Sequence, residues 1–347
     1  MRPYHEQIDI QNTTKLRNLL EDLPDFVGDF FRGIEQTTSS RTRIAYAYDL
    51  RIFFDYLLKN QEECADYTSK TLPLSVLEHL APRDLEKYME YLKYYEKDDD
   101  EHLNQTEGIM RKVSTLRTFY NYFYRRELIS YNPAALIEMP KKHDKVIVHL
   151  EPDEVAILLD SIDSGENLTK KQKSYHSHTR KRDLAMIMLM LGTGIRVSEC
   201  VGIDIKDVDL KNCGIKIHRK GGKEVIIYFG DEVEEVLADY LAQRKLILAR
   251  EGHEDALFLS IQKKRISVRS VELLVKKYTQ AAVQLKKITP HKLRSTYGTS
   301  LYQETGDIYL VADVLGHKDV NTTKRHYAAI GDEKRRSARN KVHLRRD

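Results

Sequence analysis

Residues 315–327 read Leu315-Gly316-His317-Lys318-Asp319-Val320-Asn321-Thr322-Thr323-Lys324-Arg325-His326-Tyr327, a polar run that sets a histidine and a tyrosine ten residues apart. Alone it decides nothing, because Tyr327 is one of 21 tyrosines and a histidine of this kind is commonly a core or surface residue. Its weight comes from three stretches upstream. The first is Gly192-Thr193-Gly194-Ile195-Arg196-Val197-Ser198-Glu199. The second is Arg219-Lys220-Gly221-Gly222-Lys223-Glu224, whose glycines can supply the positive φ of a tight turn. The third is His291-Lys292-Leu293-Arg294. Each could be ordinary surface or core.

All four stretches fall in the basic half of the chain. Residues 1–140 carry 18 basic and 24 acidic side chains, net −6, while 141–347 carry 39 and 29, net +10. A basic half points modestly to a polyanionic partner, of which nucleic acid is the commonest. At 347 residues the chain is long enough for two ordinary domains. Charged residues make up 32% and hydrophobic ones 41%, which suits a helix-rich soluble protein. No apolar run approaches the roughly 18 residues that span a bilayer, and the polar start Met1-Arg2-Pro3-Tyr4-His5-Glu6 shows no secretion signal. The expectation is a cytoplasmic protein with no membrane partner. Cys64, Cys200 and Cys213 form no CxxC pair, which argues against a disulfide framework or a zinc site. Gly221-Gly222-Lys223-Glu224 lacks the spacing and the Ser/Thr of a nucleotide-binding loop. With no metal-ligand cluster either, neither a metal nor a nucleotide cofactor is implied.

The periodicity predicts a mainly α fold. Leu16, Leu19 and Leu20 share a helical face before Pro24, and Phe26, Phe30, Phe31 and Ile34 share one after it. Thr37-Thr38-Ser39-Ser40 offers N-cap chemistry for a helix through Ile44, Tyr48, Ile52, Phe53, Tyr56 and Leu57. Helices follow near Pro82–Tyr95 and, after an acidic loop Glu96–Glu101, over Gly108–Arg126; the aromatic residues here are read as core. The prolines after Asn132 and Met139 stop the helices. The boundaries predicted are a first domain over 1–140, a linker over 141–150, a second domain over 151–331 and a basic tail over 332–347. Glu151-Pro152-Asp153-Glu154 opens a helix, and Ser164–Arg182 reads as a polar loop before the apolar helix Leu184–Leu191. Gly214–His218 and Glu224–Phe229 read as a β-hairpin, and the remainder as helical.

In this order and spacing the four motifs resemble those of the tyrosine recombinase and phage integrase family, which includes the Xer chromosome-dimer resolvases. The stretches 42–57 and 131–142 also look like that family's core-binding domain and its boundary. The resemblance implies a two-domain DNA clamp, with a helical, SAM-like core-binding domain and a catalytic domain holding a small β-sheet. Carried over position by position, it assigns catalysis to Arg196, Lys220, His291, Arg294, His317 and the nucleophile Tyr327. It implies a site-specific enzyme that cuts and rejoins DNA through a 3′-phosphotyrosyl link, without metal or ATP, on duplex DNA bearing a specific recombination site. A homo-oligomer follows, a dimer per site and a tetramer in synapsis, in a cytoplasmic, nucleoid-associated protein.

The chemistry explains why such residues are needed. A scissile phosphodiester gathers negative charge as it expands, and two arginines can each offer it a planar fork of donors; Arg196 and Arg294 suit this. A phenol with pKa near 10 is a poor nucleophile at neutral pH, so Tyr327 needs a base, for which His291 stands. The departing 5′ oxygen needs a proton, and Lys220, beside arginines, suits the acid. His317 would donate to a non-bridging oxygen or orient Tyr327.

Two other readings stand beside this one. A helical DNA-binding protein without catalysis would make each motif incidental, which the complete six-residue set argues against. A type IB topoisomerase would use the same nucleophile and arginines to relax supercoils, which the core-binding layout argues against. On the first domain, Arg111, Lys112, Arg117, Arg125 and Arg126 are the expected DNA face, with a solvated helix surface as the alternative for each. The tail from 332 holds seven lysines and arginines and is expected as a solvated arm or, by resemblance, a segment docking on a neighbouring protomer. The segment before Thr37 and the long stretch 164–182 are similar to relatives that act without a second recombinase. Chromosome-dimer resolution and mobile-element integration both remain open on the sequence.

Overall fold

In the computed structural model, which describes residues 3–97, 99–141, 148–219, 222–282, 286–317, 319–320 and 323, the chain separates into two units, Arg2–Lys145 and Val146–Asp347. Lys220, Tyr327, most of the expected linker and the tail 332–347 lie outside the described residues.

The first unit carries helices α1 (Tyr4–Leu20), α2 (Val27–Gly33), α3 (Ser40–Asn60), α4 (Val76–His79), α5 (Pro82–Tyr91) and α6 (Thr106–Tyr124), with a hairpin of β1 (Tyr94–Lys97) and β2 (Asp100–Leu103) before α6. Ser39 is extended and its hydroxyl accepts from the Thr42 N–H at 3.3 Å, which starts α3 where the N-cap chemistry predicted. The aromatic residues form the core as expected: Phe30, Phe53, Phe54, Phe119 and Phe123 are fully buried. Edge-to-face pairs such as Phe30–Phe119 at 5.1 Å lock α2 to α6.

One expectation fails in this unit. The acidic stretch is not simply a loop: Glu96 and Lys97 belong to β1 and Asp100 and Glu101 to β2, in register Tyr95↔His102 and Glu96↔Glu101, and α5 ends at Tyr91 rather than Tyr95. Tyr95 is buried and stacked between Tyr91 at 5.2 Å and His102 at 4.9 Å, which holds the strands while the acids face water.

The second unit carries α7 (Pro152–Ser164), α8 (Lys170–Thr193), α9 (Val197–Gly202), β3 (Val208–Asp209), β4 (Gly214–His218), β5 (Glu224–Tyr228), α10 (Asp231–Arg244), α11 (Val268–Ala282), α12 (Pro290–Thr305) and α13 (Ile308–Leu315). The predicted hairpin is present as β4–β5, and β3 extends it to a three-stranded antiparallel sheet in the order β3-β4-β5. Helix α8 packs against α7, α10 and α12.

The expected loop Ser164–Arg182 is mostly the first half of α8. Thr169 caps it, its hydroxyl accepting from the Gln172 N–H while Gln172 Oε1 accepts from the Thr169 N–H at 2.9 Å. The buried face of this half is polar: His176 Nε2 lies 2.7 Å from the Ile162 carbonyl. Further on, fully buried Asp183 accepts from Arg182, from the Tyr278 hydroxyl at 2.9 Å and from Lys277 at 3.3 Å, tying α8 to α11. Polar burial of this kind hides a helix from apolar periodicity.

The expected helical remainder is also interrupted, by an irregular segment over 245–267. Buried Arg244 braces this segment by donating to the carbonyls of Ala256, Ile247 and Glu254. Among the described residues no helix is long and apolar enough to cross a membrane.

Candidate active site

Helix α8 ends in Gly194, whose φ of +63° turns the chain sharply into α9. Two residues later Arg196 occupies the N-cap position of α9. Glu199, one turn on and nearly enclosed, accepts both the Arg196 backbone N–H and its Nη1, each at 2.8 Å. The carboxylate thereby fixes the backbone and the guanidinium of one residue, leaving the other edge of the fork available. That edge points Nη2 toward the Gly316 carbonyl at 3.4 Å.

Pro290 occupies the first turn of α12, where its missing N–H costs nothing, and places His291 next to it on an exposed face. Arg294, three residues further, is only 5% exposed. Its Nη1 donates to the Gly194 carbonyl at 2.5 Å and its Nη2 to the Leu315 carbonyl. Helix α13 ends at Gly316, whose φ of +63° again reverses the chain and leads into His317. The His317 N–H donates to the Ala312 carbonyl at 2.9 Å, and Nδ1 lies 2.7 Å from the hydroxyl of fully buried Thr323.

A third guanidinium reaches the same place. Arg219, just past β4, donates through Nη2 to the Val314 carbonyl at 2.6 Å and through Nη1 to the Asp313 carbonyl at 3.3 Å. The carbonyls of residues 313 to 316 thus receive three arginines. Helix C-terminal carbonyls lack partners inside the helix and carry the negative end of its dipole, so cations are favoured there. This helix end gathers three mutually repelling guanidiniums into one small region.

The structure brings Arg196, Arg294 and His317 together at the end of α13 and sets His291 one helical turn before Arg294. The ring of Tyr297, half-buried on α12, packs against Gly194. Burial pushes its pKa up.

In the first unit the five expected DNA-facing residues divide. Lys112 is buried, its ammonium donating to Asn104 at 2.7 Å, and Arg117 donates to the carbonyls of Ala134 and Ile137. Both side chains are held by groups of the unit's own fold. Arg111 pairs at 2.5 Å with buried Asp49. Arg125 and Arg126 are exposed, the latter 4.0 Å above the Tyr122 ring.

Sequence reading missed the supporting residues. Glu199 carried a signal, its spacing of three from Arg196 across a helix start. Thr323 and Arg219 carried none: a threonine six residues after a histidine has no motif spacing, and the partners of the Arg219 side chain are main-chain groups.

The sequence model of the phage integrase family matches residues 149–334. The chain is 35% identical over 314 residues to tyrosine recombinase XerC of Caldanaerobacter subterraneus subsp. tengcongensis, covering 87% of this chain and 82% of that one. It is 30% identical over 357 aligned positions to tyrosine recombinase XerS of Lactococcus lactis subsp. cremoris, covering 94% and 97%. Its fold is similar to the crystal structure of XerH site-specific recombinase bound to a palindromic difH substrate in a post-cleavage complex. That likeness has a TM-score of 0.66, 20% identity and 97% coverage of both chains.

Proposed function

Because the chain belongs to the phage integrase family and is a tyrosine-type site-specific recombinase, we propose that it cuts and rejoins duplex DNA at a specific site through a 3′-phosphotyrosyl intermediate on Tyr327. The observation that carries this reading is the meeting of Arg196 and Arg294 on adjacent carbonyls, Gly316 and Leu315, immediately before His317. Two guanidiniums held side by side form a seat for one phosphodiester, and the enclosed Glu199 keeps the first from turning away.

In the proposed step the Tyr327 oxygen attacks phosphorus and its proton passes to His291. The bond from phosphorus to the 5′ oxygen breaks, and that oxygen takes a proton from Lys220. Arg196, Arg294 and His317 bear the charge that builds on the non-bridging oxygens. A 5′ hydroxyl from a second duplex then attacks the phosphotyrosyl link with the proton transfers reversed. The energy of the original bond is kept throughout, so rejoining consumes no nucleotide. A dimer would occupy each site and a tetramer would join two. Exposed Arg111, Arg125 and Arg126 lead the candidates for phosphate contact on the first unit, with Lys112 and Arg117 behind them.

The test uses a nicked suicide duplex carrying the site recovered from covalent adducts of the wild-type chain. Tyr327→Phe should bind this duplex but yield no adduct, and an undiminished adduct would sink the assignment. Two duplexes bearing the site, mixed with wild-type protein, should give recombinant joints. Relaxation of site-free plasmid without joints would point to a topoisomerase instead.

A further inference from the structure

Among the described residues, Arg219 is the guanidinium at the end of α13 to which the proposed chemistry assigns no part. Its backbone lies at the mouth of the β4–β5 turn. The Arg219 N–H donates to the Lys223 carbonyl at 2.8 Å, and its carbonyl accepts from the Gly222 N–H at 3.1 Å. Its side chain crosses to α13, where both terminal nitrogens find carbonyls. Gly316 makes room for it, since a Cβ there would lie 2.2 Å from Arg219 Nη1 and 2.5 Å from Cζ.

Lys220 is the next residue in the chain. We propose that Arg219 is a positioning residue for the acid: it latches the turn that bears Lys220 to the helix end that leads into His317 and meets Arg196 and Arg294. This rests on the reading of Lys220 as the group that protonates the leaving 5′ oxygen. A catalytic group on a turn free to swing loses the near-attack geometry on which proton transfer depends. Two donors on two successive carbonyls define the latch in a way a single ammonium cannot, so lysine is a poor substitute.

The role of Arg219 separates from a merely structural one by the leaving group. Single-turnover cleavage is measured on the recovered site with either the natural 5′ oxygen or a bridging 5′ sulfur at the scissile position; a thiolate departs without a proton. Arg219→Ala should slow the oxygen substrate about 10²-fold, as expected for a displaced catalytic group, and the sulfur substrate less than about 3-fold, with duplex affinity kept. Lys220→Ala should show the same pattern. If sulfur rescues Lys220→Ala but Arg219→Ala is equally slow on both substrates, or is not slowed on either, the latch is overturned and the acid stands. If sulfur fails to rescue Lys220→Ala, the acid reading itself falls, and the latch with it. Should Arg219→Ala fail to fold, Arg219→Lys takes its place under the same criteria.

Discussion

Replacing Gly194 with alanine should destabilise the second unit by about 2–4 kcal/mol, and the amount divides into two separable parts. Gly194 has a φ of +63°, which costs a residue with a Cβ about 1 kcal/mol. The new methyl would also stand 2.4 Å from Tyr297 Cδ1 and 2.8 Å from Leu315 Cδ2, well inside van der Waals contact. Tyr297 is half-buried and Leu315 fully so, and forcing extra volume into such packing costs about 1–3 kcal/mol. Gly252 provides the control, because its φ is +85° but nothing lies within 4 Å of its notional Cβ, so Gly252→Ala carries the backbone cost alone. A two-unit chain need not unfold in one transition, so the comparison belongs to amide hydrogen exchange of peptides from α8 and α12. The slowest amides there should lose more protection in Gly194→Ala than in Gly252→Ala by about 1–3 kcal/mol. Equal losses would refute the claim that the corner is close-packed around the Arg294 acceptor.

Two further outcomes follow from the geometry. Glu199→Ala leaves the Arg196 guanidinium and the α9 N-cap without their shared acceptor, so adduct formation should fall about 10²-fold while duplex affinity changes little; an affinity loss as large as the rate loss would contradict this. Glu154, despite a burial penalty, is held below its ordinary value of 4.5 by the Lys286 ammonium and the Glu151 N–H. A depressed folded pKa means that its stabilisation is complete above the unfolded value and is lost as pH falls through the folded one. Hydrogen exchange of the slowest α7 amides should therefore find wild type more stable than Glu154→Gln by about 1 kcal/mol at neutral pH, with the gap closing below pH 4.5; a gap persisting at about pH 3 would refute it.

The legible parts of the fold were those whose causes are local. Ser39 announces α3 because a hydroxyl at a helix start answers an N–H three residues on, and the β4–β5 hairpin announces itself by β-branched runs around two glycines. The first half of α8 did not, because His176, Thr179 and Asp183 are buried polar residues whose partners come from other elements. Only the cap pair Thr169 and Gln172 marked it in the sequence. The partners of Lys112 and Arg117 were hidden for a related reason: a basic residue on a helix looks the same in the sequence whether it faces water or donates to an asparagine side chain or a main-chain carbonyl of its own unit. In the site, the order of the motifs was visible while the means of holding them was not. The acceptors that gather Arg196, Arg294 and Arg219 are main-chain oxygens, to which residue identity is silent.

That silence has an evolutionary side. Tyr309, Leu310 and Asp313 lie on the exposed face of α13, and drift at these positions leaves every acceptor at the helix end in place. Adding or deleting a single residue within α13 is a different event. It rotates the terminal carbonyls by about 100° relative to the body of the helix, and all three arginines would lose register at once. The site is therefore buffered against substitution along this helix and brittle to any change in its length.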